Sequence, residues 1–157
     1  MNNSTILVQV TDTKWTVAAV EAACKYARQH DGQVVLAKLL SANYLNWLGI
    51  EANEYRFTES DCTDIVVYEE IARRYGVPVR TQVFKYDTLK QGLACAADAV
   101  NADAVIAHVP GSPVPFLRQR TERHLAALLE SHHHHLYRVN QPAAPVNWIP
   151  VATPIHN

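Results

Sequence analysis

The stretch ILVQVTDTKWTVAAVEAACKYARQHDGQVVLAKLL, residues 6–40, decides the fold. It opens with Ile6-Leu7-Val8-Gln9-Val10, a short and nearly continuous apolar run. Such a run reads as a strand covered on both faces. Thr11-Asp12-Thr13 then supplies side-chain oxygens suited to capping a helix. From Lys14 to His30 the small residues Ala19, Ala23 and Ala27 recur at helical spacing, flanked by Val20 and Tyr26. A helix with so small a face can lie close against a sheet. Asp31-Gly32 ends it. Gln33 to Leu40, with Val34, Val35, Leu36, Leu39 and Leu40, is a second buried strand. Strand, helix and strand in so short a span form a βαβ unit, which requires parallel strands and a right-handed crossover.

Beyond this unit, Ser41 to Thr58 carries Tyr44, Trp47, Leu48, Tyr55 and Phe57 without a clear period, and reads as a long loop or a short extra helix. A helix follows from Ser60 and Asp61, with Ile65, Tyr68, Ile71, Ala72 and Tyr75 on its apolar face and Gly76 as its stop. Val77 to Phe84 is a third strand. Asp87-Thr88 caps a helix that turns Leu89, Leu93, Ala96, Ala97 and Val100 inward. Ala104 to Val109 is a fourth strand, and Pro110 to Pro115 is a loop by composition. Leu117 to Ser131 returns to helical spacing through Leu117, Leu125, Leu128 and Leu129, and Leu136 to Val139 is a short fifth strand. The alternation predicts an α/β domain: an open five-stranded parallel sheet with helices on both faces, of flavodoxin-like or adenine nucleotide alpha-hydrolase-like topology. Residues 1–139 make up this domain. Residues 140–157, with Pro142, Pro145, Pro150 and Pro154, make a Pro-rich tail or dimer arm.

The chain has 157 residues, 48% of them hydrophobic and 18% charged, with a net charge of −1. That is enough apolar material for one core, and a balance that gives no footprint for nucleic acid. No apolar run is long enough to span a bilayer, and the first residues lack the form of a signal peptide. Cys24, Cys62 and Cys95 follow no metal or redox spacing, and Cys24 and Cys95 read as small hydrophobes in helices. The expectation is a cytoplasmic protein with no membrane insertion.

Four segments together resemble the universal stress protein family: Ile6 to Thr13 its opening strand and turn, Ala19 to Leu40 its Ala-rich helix and second strand, Tyr75-Gly76-Val77-Pro78-Val79 its helix stop, and Ala102 to Ala107 its fourth strand. The resemblance runs over residues 5–139 and misses the tail. The family motif after the fourth strand is Gly-x-x-Gly, nine residues, then Gly-Ser or Gly-Thr. Here the three glycine positions hold His108, Gly111 and Thr121; Ser112 follows the second, and Glu122 takes the closing Ser/Thr position. Glycines at such a motif let backbone amides approach phosphate. His108 adds bulk there and Glu122 adds negative charge. The resemblance therefore implies a degenerate phosphate loop. It implies ATP or AMP as ligand only through a modified pocket formed by Thr11, Asp12, Leu40, Val109, Gly111, Ser112, Arg120 and Thr121. Arg118, Arg120 and Arg123 offer either an alternative anion grip or a solvated helix start, pairing with Glu122. The family also implies a homodimer through the fifth strand.

His132-His133-His134-His135 is the most unusual feature of the composition. In an extended segment alternate imidazoles share a side, so His132 with His134, or His133 with His135, is a candidate pair for zinc or for a proton-sensitive seam. The other reading is a polar loop entering an edge strand. No nucleophile elbow or paired helical His motif occurs. Asp12 and His108 approach the carboxyl end of the sheet either as acid/base groups or as a cap and a strand-end polar residue. The expectation is a non-catalytic regulatory module that binds a small ligand or a protein partner.

Overall fold

The computed structural model describes residues 3–109, 115–139 and 148–150. Five parallel strands run as β1 (Thr5–Gln9), β2 (Gln33–Ser41), β3 (Val79–Tyr86), β4 (Ala104–Ile106) and β5 (His135–Val139). A sixth strand, β6 (Trp148–Pro150), pairs antiparallel with β5, and the order across the sheet is β3-β2-β1-β4-β5-β6. The parallel part is the open sheet that the βαβ reading predicts. The antiparallel edge strand is an addition from the segment read as a tail.

Helices α1 (Thr13–Gln29) and α3 (Glu59–Tyr75) cover one face of the sheet, while α4 (Leu89–Val100) and α5 (Pro115–Ser131) cover the other. Alternation along each strand feeds both cores. Ile6, Val8, Val34 and Leu36 pack under α1 and α3; Leu7, Val35 and Val105 pack under α4 and α5. The alanines of α1 bring its backbone near the sheet, and Ala19, Ala23 and Ala27 are fully buried. Gly32 is needed for a close approach at the start of β2: a Cβ there would stand 2.4 Å from the Ser4 carbonyl oxygen, which accepts the Gln33 amide.

Local chemistry sets the helix ends. Asp12 Oδ1 accepts the Trp15 amide at 2.9 Å and caps α1. Thr58, two positions before the expected start at Ser60 and Asp61, caps α3 in a reciprocal box with Asp61. Gly76 ends α3 with φ 68°, the left-handed conformation that glycine adopts most easily. The irregular stretch after β2 contains a short helix, α2 (Ala42–Leu48), capped by Ser41 and closed by Gly49 at φ 70°. Its Trp47 is 80% exposed, so it belongs to no core. Two further expectations need correction. Leu117 is exposed because it lies in the first turns of α5, ahead of the part that meets the sheet, and Cys95 lies on the exposed face of α4. Cys24 is buried as expected, and burial pushes its thiol up to about 12, with Glu21 adding to the effect.

Candidate functional site

The strand order reverses between β1 and β4, and the chain leaves these two strands toward opposite faces. A crevice opens at such a point beyond the carboxyl ends of the strands. The turn after β1 is tightly tied: Thr11 N donates to Thr16 Oγ1 at 3.0 Å, and Thr16 Oγ1 donates to the Asp12 carbonyl at 2.7 Å. Across the crevice, His108 N donates to the buried Gln9 Oε1 at 3.0 Å, which extends the β1–β4 link past the end of the ladder. The imidazole of His108 meets Trp15 edge-on, with centroids 5.2 Å apart.

Two cavities share His108 and Val109. The first, about 480 Å³, lies between α4 and α5. Its walls are mainly apolar, from Leu89, Leu93, Val109, Leu125 and Leu128. Thr88, Lys90, Gln91 and Thr121 add polar groups. The second, about 400 Å³, is more polar and lies between the start of α1, β5 and α5, with Trp15, Arg118, Glu122 and Arg138 in its walls. The structure thus gathers Val109 and Thr121 at one cavity, with the Thr121 hydroxyl donating to the Leu117 carbonyl. Leu40 is buried near the end of β2, Arg120 is exposed on α5, and Asp12 serves as a helix cap. Gly111 and Ser112 lie outside the described residues.

Glu122 has a partner that the sequence reading missed. Arg138 of β5 clasps it, Nε to Oε1 at 3.0 Å and Nη2 to Oε2 at 2.8 Å, and the Glu122 side chain is only 13% exposed. The negative charge expected beside a phosphate position is therefore neutralised across the α5–β5 contact. Its partner was not the neighbouring arginine cluster on α5.

The His run is not gathered around one point. His132 and His133 form a turn, and His133 has φ 66°. His132 Nδ1 and His134 Nε2 both bond Asp98, at 2.8 and 2.6 Å, and His135 Nδ1 bonds Glu130 at 2.9 Å. The buried His134 also bonds the Ala102 carbonyl through Nδ1. The alternate pair does share a side, but what it shares is a carboxylate at the C-terminal end of α4. Among the described residues no group of three or more His, Cys, Asp or Glu side chains is placed to hold a metal ion, so the zinc expectation finds no support.

No protein-family model and no curated protein matches the chain. Solved structures do match. A universal stress protein from Archaeoglobus fulgidus superposes with a TM-score of 0.57 at 13% identity, covering 87% of this chain and 93% of that one. The fold is that of the universal stress proteins. A universal stress protein in complex with cAMP matches with a TM-score of 0.53 at 15% identity, covering 82% of this chain and 89% of the other. The universal stress protein UspA from Lactobacillus plantarum matches with a TM-score of 0.51 at 14% identity, covering 89% and 99%. At these identities the likeness is one of universal-stress-protein architecture, and the site must be argued from its own residues. No helix among the described residues is long and apolar enough to cross a membrane.

Proposed function

We propose that this chain is a non-catalytic regulatory module that takes a small ligand in the crevice at the ends of β1 and β4. The observation that carries this reading is the cavity of about 480 Å³ beside Val109. Its size is that of a small-molecule site, and its apolar walls with a few polar groups suit a flat or aliphatic body held by one polar end. The groups that would have to perform bond chemistry have structural tasks: Asp12 caps α1, and His108 packs its ring on Trp15.

The second reading is a nucleotide binder, AMP or ATP, in a modified pocket. Two observations favour it. A neighbour of the same fold is a complex with cAMP. Glu122, the residue least welcome beside a phosphate, is neutralised by Arg138. In either reading we take the working form to be a cytoplasmic homodimer with its seam on the β5–β6 side of the sheet, where β6 already covers the β5 edge.

A thermal-shift panel with cAMP, AMP, and ATP with magnesium tests both, joined to mass analysis of anything retained on the purified protein. The expected result is a rise in Tm with at least one small molecule, abolished by Thr121→Trp, which fills the cavity. A rise that survives Thr121→Trp overturns the assigned site. No rise and no retained mass overturns the small-ligand reading and leaves a protein partner.

A further inference from the structure

Three buried side-chain oxygens among the described residues have no hydrogen-bond partner: Thr11 Oγ1, Tyr68 Oη and Thr81 Oγ1. All three residues line one small cavity, separate from the two at His108. They come from three elements: the β1–α1 turn, α3 and β3. The register explains their meeting. Thr81 pairs with Leu36 and Lys38 with Val83, so Thr81 and Lys38 stand on the same face of neighbouring strands. That face is the one α3 covers, and Tyr68, fully buried, reaches it from above.

A buried hydroxyl left without a partner costs roughly 1–3 kcal/mol, and three in one place are not an accident of packing. The neighbouring threonines do not relieve Tyr68. Thr13 gives its proton to Asp64 at 3.2 Å and Thr16 gives its own to the Asp12 carbonyl, so each is left only to accept from Tyr68, and both stand near Tyr68 Oη without a hydrogen bond of good geometry. The cavity measures about 20 Å³. A single water needs at least about 10–15 Å³ of such space and two to four polar partners, so the room fits one water and little else. Charge points the same way. Lys38 bonds Asp61 at 3.2 Å beside the cavity and opposes a cation; Asp61 and Asp64 oppose an anion. A neutral group that both donates and accepts is what remains.

We propose that this cavity is the binding site of one resident water, bonded to Thr11, Tyr68 and Thr81. It ties α3 and β3 to the turn after β1, the turn that flanks the candidate ligand crevice. The site is independent of which ligand, if any, the crevice takes.

The test is thermal unfolding of the full chain with Thr81→Val, Tyr68→Phe and the double variant, alongside a crystal structure fine enough to show ordered water. A bridging water makes each removed hydroxyl costly, because a partner of a satisfied network is lost. Each single variant is expected to lower Tm by about 2–4 °C, the shift that 1 kcal/mol gives in a chain of this size. The double variant is expected to fall by less than the sum, and density is expected within hydrogen-bonding distance of at least two of the three oxygens. If the hydroxyls are true orphans, their removal leaves Tm unchanged or raises it, which overturns the proposal. Additive losses in the double variant, or density absent from wild-type crystals, overturn it as well. So does a rise in Tm specific to sodium, potassium or ammonium salts, which would make the occupant a cation.

Discussion

Asp98 is half-exposed at the end of α4 and yet holds two imidazoles. The bond from His134, then the lesser pull of His132, keeps its carboxyl below the usual carboxylate range. The Ala102 carbonyl can only accept, so Nδ1 of His134 carries a proton, and Nε2 faces Asp98 across a bond that needs another. The direction of the pH effect follows. A carboxyl that ionises more readily folded than unfolded contributes stability that is complete above the ordinary carboxylate range. The contribution is lost as pH falls through the depressed folded value. Asp98→Asn is therefore expected to lower Tm by a few degrees near neutral pH, with the gap to wild type closing below about pH 4. Scanning calorimetry across that range checks it, and a gap that stays constant in acid would assign the loss to packing. The exposure of Asp98 keeps the effect modest, because solvent screens the pair.

At the scale of elements, what was legible in the sequence is what local physics determines alone. The run Ile6–Val10, the alanine period of α1 and the stop at Asp31-Gly32 each carry their own signal, so the βαβ unit could be read directly. Helix α2 carries less. Its seven residues include Asn43 and Asn46, poor helix formers, and it exists because Ser41 caps one end and Gly49 closes the other. Strand β6 carries no usable local signal: it is three residues long, ends at Pro150, and becomes a strand by pairing with β5. That pairing has a consequence. An uncovered strand edge is a template for another chain. In the register of β6, Tyr137 faces Pro150 and Val139 faces Trp148, so β6 occupies the outer edge of β5. A chain ending at Val139 is expected to be less stable and, with the β5 edge bare, to associate beyond the dimer more strongly with rising concentration than the full chain. Sedimentation velocity over a hundredfold concentration range tests this. Equal association of the two forms would mean that β6 does not shield the edge.

Across the whole molecule, the candidate site was legible only where it follows a strand. Val109 and Thr121 stand in the stretch that leaves β4, and Thr88 lies just past the end of β3, both places where an open parallel sheet gathers its ligand loops. The walls supplied by Leu93, Leu125 and Leu128 could not be assigned, because any buried leucine on α4 or α5 gives the same sequence signal and only the approach of the two helices leaves a cavity between them. The Glu122–Arg138 clasp was illegible for the same reason, since it depends on how α5 lies along β5. It is also where the electrostatics of the crevice are decided. With both partners present the pair is close to neutral toward a ligand in the second cavity. Glu122→Gln leaves Arg138 charged and unclaimed there, next to His108 and Arg118. Such a change is worth on the order of 1 kcal/mol toward an anion in a partly exposed cleft, or roughly threefold to tenfold in affinity. On the nucleotide reading, AMP is therefore expected to bind the Glu122→Gln protein several-fold more tightly than wild type, and Arg138→Gln more weakly, while adenosine distinguishes none of the three. The differences are expected to shrink as salt is raised from 0.05 to 0.5 M, since screening acts on the charge and not on the base. Titration calorimetry with the two ligands at both salt levels decides it. Equal AMP affinity in all three proteins would place the phosphate away from this pair, and an adenosine response matching that of AMP would trace the effect to altered packing of α5.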